Sequence, residues 1–142
     1  MKYLFDTDHI SILQRQAGAE FVSLSARIAA HNQSDLAFCS VNFHEQTSGC
    51  HLYLARARTS VDLIHGYRML DRVLDCYATA QVLPFNAAAA AILDGLLARR
   101  LRVGTMDLRI AAIALSQGLT LLTRNVRDFG RVPALITEDW TV

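Results

Sequence analysis

Asp6, Glu45 and Asp107 lie far apart in the chain, yet each stands just beyond a short apolar run or just after a glycine break. A polar loop, Thr123-Arg124-Asn125-Val126-Arg127-Asp128-Phe129, follows another apolar run and adds Asn125 and Asp128. If these groups meet, several carboxylates share one place, repel one another and rise in pKa unless a cation neutralises them. Of the 14 Lys and Arg residues, Lys2 is the only lysine, and it sits before the first apolar run, so no lysine can serve as that cation. Hard oxygen donors without a lysine suit Mg²⁺ or Mn²⁺, which is held by a few carboxylates together with waters and a substrate phosphate. Such a site lowers the pKa of bound water and stabilises the leaving oxygen of a phosphodiester, which is the chemistry of a metal-dependent nuclease.

Each acid also has a plainer reading. Asp8 is placed as the N-cap of a helix, Asn42 and Glu45 have the spacing of a capping box, and Asp107 suits the positive end of a helix dipole.

For the acids to meet, the elements must deliver them to one edge. Tyr3-Leu4-Phe5 reads as a first strand running straight into a helix. Phe21, Leu24, Ile28 and Ala29 recur at helical spacing over Glu20–His31, and Leu36–Cys39 reads as a second buried strand. Asn42 then starts a helix towards Leu54, with Glu45 in its first turn. From Arg56 to Ala80, Leu63, Tyr67, Leu70, Leu74 and Tyr77 form one continuous helical stripe, expected to face the core. Gln81–Leu83 is a third strand, and Asn86 caps a helix through Leu101 that Gly104 ends. A helix from Thr105 places Asp107 in its first turn and Gly118 just past its end; Leu119–Leu122 and Leu135-Ile136 are the last strands. Strands alternating with helices predict an α/β fold with a central, mostly parallel sheet of four to five strands, whose C-terminal ends share one edge.

Leu4 through Asp8, Ser40 through Glu45, Asp107 through Ala112 and Leu122 through Phe129, in this order and with Thr137-Glu138-Asp139-Trp140 closing the chain, resemble the PIN-domain family, in particular VapC-type toxins. The resemblance implies a three-layer α/β/α sandwich and a Mg²⁺-dependent endoribonuclease held inactive by a cognate antitoxin. It assigns Asp6 and Asp107 as principal metal ligands, with Glu45 completing the cluster and positioning the attacking water. Asn125 stands where many relatives have Asp, with Asp128 three residues on, and an amide brings no charge to hold a second metal. Thr7 and Thr123 become candidates for bonding ligands or phosphate. Arg124, Arg127 and Arg131, with Arg99, Arg100 and Arg102 before Gly104, are candidates for RNA contact or simply for helix ends. The outward part of the long stripe could form a homodimer or receive an antitoxin helix.

Asp6-Thr7-Asp8 also loosely resembles the start of haloacid-dehalogenase-type phosphotransferases, but those need a lysine near the acids. A relative that keeps the fold and the antitoxin surface but cleaves nothing is the non-enzyme alternative. His9 neighbours Asp8, but the chemistry needs no histidine base; His31, His44, His51 and His65 show no partner pattern.

Composition narrows the remainder. With 142 residues, 52% hydrophobic and 19% charged, the chain is expected to fold as a single domain over residues 1–142. It has no unbroken apolar run long enough for a membrane span and no signal peptide, so a cytoplasmic location is expected. A net charge of +1 demands no polyanion. Cys39, Cys50 and Cys76 are odd in number and lack CxxC spacing, which fits buried thiols better than disulfides or zinc ligands.

Overall fold

A computed structural model describes all residues from Met1 to Val142. Five short strands form one parallel sheet: β1 (Tyr3–Phe5), β2 (Leu36–Cys39), β3 (Val82–Leu83), β4 (Thr120–Leu122) and β5 (Thr137–Glu138). Their spatial order is β3-β2-β1-β4-β5. The chain winds from β1 outward to β3, then returns to the other side of β1, so the order reverses between β1 and β4. In open parallel sheets a crevice opens beyond the strand ends at such a reversal.

Seven α-helices connect the strands: α1 (Thr7–Arg15), α2 (Ala19–Ala29), α3 (Ser40–Ala55), α4 (Ser60–Ala78), α5 (Ala87–Ala98), α6 (Thr105–Ser116) and the short α7 (Val126–Phe129). Strand side chains alternate between faces. Leu4, Ala37, Cys39 and Leu121 pack on the α5–α6 side, with Ile110, Ala111, Ile113 and Ala114. Phe5, Phe38 and Leu122 pack on the opposite side, with Ile10, Ile12 and Leu24 of α1 and α2, Tyr77 of α4, and Trp140. Burying both faces explains why β1 to β4 read as short, largely apolar runs, whereas the edge strand β5 (Thr137–Glu138) does not. No helix is long and apolar enough to cross a membrane.

Several boundaries depart from the sequence expectation. The last strand is Thr137–Glu138, two residues after the expected Leu135-Ile136. Ala134 still has a left-handed backbone (φ 67°), so the chain is turning there, and Thr137 is the residue that pairs with Leu121. α5 ends at Ala98, and Gly104 is the N-cap of α6, not the stop of α5. Asn86 does cap α5, accepting the Ala89 N–H at 3.1 Å.

The largest departure is α4. Its expected core stripe is mostly outside: Leu63, Tyr67 and Leu74 are 44%, 55% and 62% exposed, whereas Gly66, Val73 and Tyr77 are buried. α4 packs antiparallel to α3, and Gly66 permits the approach, since a Cβ there would lie 2.4 Å from Leu54 Cδ2. Gly66 lets its face of the helix approach α3 closely, and Leu63, Tyr67 and Leu74 are left on the surface.

Candidate active site

The crevice at the strand reversal is where the acids meet. Asp6 directly follows β1 and is buried, 6% exposed. Its Oδ1 accepts the Thr7 N–H at 2.8 Å and its Oδ2 accepts the Thr123 hydroxyl at 2.7 Å. Thr123 directly follows β4, so this second bond spans the strand reversal. Thr123 is itself held by the Asn125 N–H, which its oxygen accepts at 2.9 Å.

Asp6, and not Asp8, is the N-cap of α1. The helix begins at Thr7, two residues earlier than an Asp8 cap would place it, because the chain turns immediately after β1. Asp8 therefore lies in the first turn and joins the cluster. Its Oδ2 accepts the Arg124 N–H at 2.9 Å, with the Thr123 hydroxyl at 3.3 Å, and its Oδ1 faces His9 Nδ1 at 2.7 Å.

Glu45 arrives from α3, which starts at Ser40 with Cys39 as N-cap. It thus stands in the second helical turn, not the first, and does not form a capping box with Asn42. Asn42 is fully buried and bridges two elements: its Oδ1 accepts the Cys39 N–H at 2.8 Å and its Nδ2 donates to Thr7 Oγ1 at 3.0 Å. Thr7 Oγ1 in turn donates to Glu45 Oε1 at 2.7 Å. Because the Asn42 amide can only donate to Thr7, the Thr7 proton must point at Glu45.

Asp107 comes from the first turn of α6 and accepts no hydrogen bond from the protein. Burial raises its pKa to about 6, with the charges of Glu45, Asp128 and Asp8 adding to the effect. Asp6 is raised further, to about 7, by burial first and then by the Asp8 carboxylate; the bonds from Thr123 and Thr7 lower it but do not prevail. The acids from β1, α3 and α6 thus sense one another's charge across one crevice.

Asn125 and Asp128 pair with each other more than with this cluster. Asn125 caps α7, accepting the Asp128 N–H at 3.4 Å and donating to Asp128 Oδ2 at 3.2 Å. Asp128 Oδ1 also takes Arg131 Nη1 at 2.9 Å, and Arg131 additionally donates to the Arg102 carbonyl. All three arginines are exposed, but the Arg131 guanidinium is tied to Asp128 and Arg102, whereas those of Arg124 and Arg127 are free.

The donor set is chemically suited to a divalent ion: buried carboxylates that repel one another, no lysine between them, and threonine hydroxyls orienting them. No three acid, histidine or cysteine side chains stand close enough to grip an ion together. The fit is accordingly to an ion that keeps part of its water shell, as Mg²⁺ usually does.

Asn42, His9 and Trp140 were not among the site residues of the sequence reading. Asn42 reads as the N-cap of α3, whereas it stands at the third helical position, caps the Cys39 N–H from there and also reaches Thr7. His9 is fully buried, and its ring Nε2 accepts the Trp140 N–H at 3.1 Å. The two lie 131 positions apart, and no local signal reaches across that distance.

No family model matches the chain. It is 33% identical over 109 residues to the tRNA(fMet)-specific endonuclease VapC of Salmonella typhimurium, covering 77% of this chain and 78% of that protein. It is also 47% identical over 64 residues to the protein of the same name from Shigella flexneri, where the match spans about half of the relative (48%) and 42% of this chain. Among solved structures, the DNA-bound VapBC of Salmonella typhimurium superposes with a TM-score of 0.78 at 27% identity, covering 99% of this chain and 98% of that one. VapBC-1 of nontypeable Haemophilus influenzae shares the fold over the full length of both chains, with a TM-score of 0.78 at 22% identity. The acidic crevice, the order of its segments and the extended identity together place the chain in the VapC family of PIN-domain proteins.

Proposed function

We propose that the chain is an endoribonuclease dependent on Mg²⁺ or Mn²⁺ and that it acts as the toxin of a toxin–antitoxin pair. The observation that carries this reading is the meeting of Asp6, Glu45 and Asp107 at the strand reversal, with Asp6 and Asp107 raised to about 7 and about 6. A bound cation would offset both the burial and the mutual repulsion that raise them. The names of the relatives, which are ribonucleases and an endonuclease acting on tRNA(fMet), support RNA as the substrate class.

Asp6 and Asp107 would hold the ion, directly or through water, with Glu45 beside them. When bound, the ion polarises the scissile phosphate and lowers the pKa of a bound water. Thr7 occupies Glu45 Oε1, which leaves Oε2 as the atom that takes the proton of an attacking water. Thr123 holds Asp6 in place, and the Arg124 main chain holds Asp8. Arg124 and Arg127, exposed at the rim, supply guanidinium groups for the RNA backbone.

The partner reading rests on α4. Val61, Ile64, Tyr67 and Leu74 expose an apolar face that a monomer would leave wet. The structural neighbours are toxin–antitoxin complexes, which favours a cognate antitoxin there, with a second copy of the chain as a further occupant of exposed apolar surface.

The test is incubation of the purified, antitoxin-free chain with total RNA, comparing Mg²⁺ with EDTA and wild type with Asp6→Asn. Discrete cleavage that requires the ion and Asp6 is expected. Absence of cleavage with either ion, for every RNA pool, would contradict the nuclease reading and leave a binding protein on the same fold.

A further inference from the structure

His9 is 0% exposed and lies between the acidic crevice and the C-terminal segment. Trp140 N–H can only donate, so the ring nitrogen it meets, Nε2, must carry a lone pair. A neutral imidazole then keeps its proton on Nδ1, and that nitrogen stands 2.7 Å from Asp8 Oδ1. The proton points at a carboxylate oxygen, and the other oxygen of Asp8 receives the Arg124 N–H at 2.9 Å. Asp8 is thus clamped from both sides.

The far end of the clamp is well anchored. Trp140 is 1% exposed, its ring stacks on His31 at 4.7 Å and its Nε1 donates to Glu138 Oε2 at 2.7 Å. The Asp139 carboxylate accepts both the main-chain N–H and the hydroxyl of Thr141, at 2.8 and 2.6 Å, which fixes the segment on either side of Trp140. An amide on a rigid segment therefore sets the histidine tautomer, and the tautomer sets the orientation of an acid at the crevice.

We propose that His9 is a positioning residue: Trp140 N–H holds it as the neutral Nδ1–H tautomer, and in that form it fixes Asp8 as an outer member of the cation site. This rests on the divalent-ion reading above but not on RNA cleavage. Carboxylates that orient a metal site from behind its ligands typically contribute 10–100-fold in affinity, and the same range is expected of the residue that holds Asp8.

Two substitutions separate the ring's two bonds. In His9→Asn the side-chain amide nitrogen replaces Nδ1 and keeps a donor towards Asp8, whereas in His9→Gln the amide oxygen replaces Nε2 and keeps an acceptor for Trp140. With Mn²⁺ alone as the probe, calorimetric titration is expected to show His9→Gln binding at least about tenfold more weakly than His9→Asn. Equal affinities in the two variants would overturn the proposal. Long-range proton–nitrogen correlation spectra of the metal-free wild type supply the second readout, and need no variant to fold. They are expected to show a neutral ring with the proton on Nδ1; a proton on Nε2, or on both nitrogens at pH 7.5, would overturn it. Wild type that binds Mn²⁺ and shows the Nδ1–H tautomer but cuts no RNA would count against the nuclease reading and support the role of His9.

Discussion

On the β1–β4 side of the crevice, Asp6 has a partner for each oxygen, and Asp8 is held by His9, the Arg124 main chain and Thr123. On the α6 side, Asp107 has no protein hydrogen bond, is partly buried and feels the charges of Glu45, Asp128 and Asp8. The first side is ordered by the protein's own hydrogen bonds, and the second is not. If an ion binds there as proposed, it meets Asp6 and Asp8 already oriented, and ordering Asp107 would cost about 0.5–1.5 kcal/mol. The contrast explains how a cluster can be electrostatically crowded although no three groups are gathered into a finished cage.

The largest expected effect comes from removing the centre of the ordered side. Asp6→Asn is expected to lower RNA cleavage by about 10²–10³-fold, the usual loss when one preorganised electrostatic group is removed. In the metal-free protein at pH 7.5 the same change should raise the melting temperature, because a buried, repelled carboxylate is replaced by an amide. Measuring both on one preparation breaks the comparison if the melting temperature falls instead.

The pH dependence of metal-free stability comes next. The folded-state pKa of Asp6 is raised to about 7 from an ordinary 3.8, so between these values the folded chain keeps a proton that the unfolded chain has released. Stability must therefore fall as pH rises from about 4 to about 7, by on the order of 3 kcal/mol from Asp6, and Asp107 adds in the same direction. Denaturant melts across this window should show the decline with EDTA, and saturating Mg²⁺ should flatten it.

Loss of the Glu45 support is expected to be smaller. Thr7→Val removes the hydroxyl that orients Glu45 and leaves the Asn42 amide without its acceptor, which costs about 1–3 kcal/mol of stability. Cleavage should drop about tenfold in kcat with little change in KM, as single-turnover and steady-state assays would show, because orientation and not RNA binding is lost. The smallest effect is expected at Asn125→Ala. Its side chain caps α7, so about 1 kcal/mol of stability should go, with cleavage changed less than in Thr7→Val. A larger catalytic loss there would move Asn125 from the loop's support into the site itself.

Much of this organisation was legible in the residues. The runs Tyr3–Phe5, Leu36–Cys39, Gln81–Leu83 and Leu119–Leu122 read as buried parallel strands, and the acids beyond them as a shared edge, because a sheet covered on both faces leaves a largely apolar signature. What was not legible depended on rotation and on distance along the chain. Periodicity identified α4 as a helix, but Leu63, Tyr67 and Leu74 formed the more apolar stripe while Gly66 decided which face could approach α3. The assignment of the first cap turned on a shift of two positions, since Asp6 and Asp8 both suit an N-cap and only the tight turn after β1 selects Asp6. The bonds from Asn42 to Thr7 and from Trp140 to His9 join residues 35 and 131 positions apart, where no local pattern reaches.

The most direct measurement of the central claim, that acids from separate segments form one divalent-cation site, is the proton count on Mg²⁺ binding. Calorimetric titrations at pH 6.5, in buffers of differing ionisation enthalpy, should show binding with net proton release from the carboxylates raised to about 7 and about 6. The release should shrink in Asp6→Asn. Absence of binding, or binding without proton release in the wild type, would contradict the shared site.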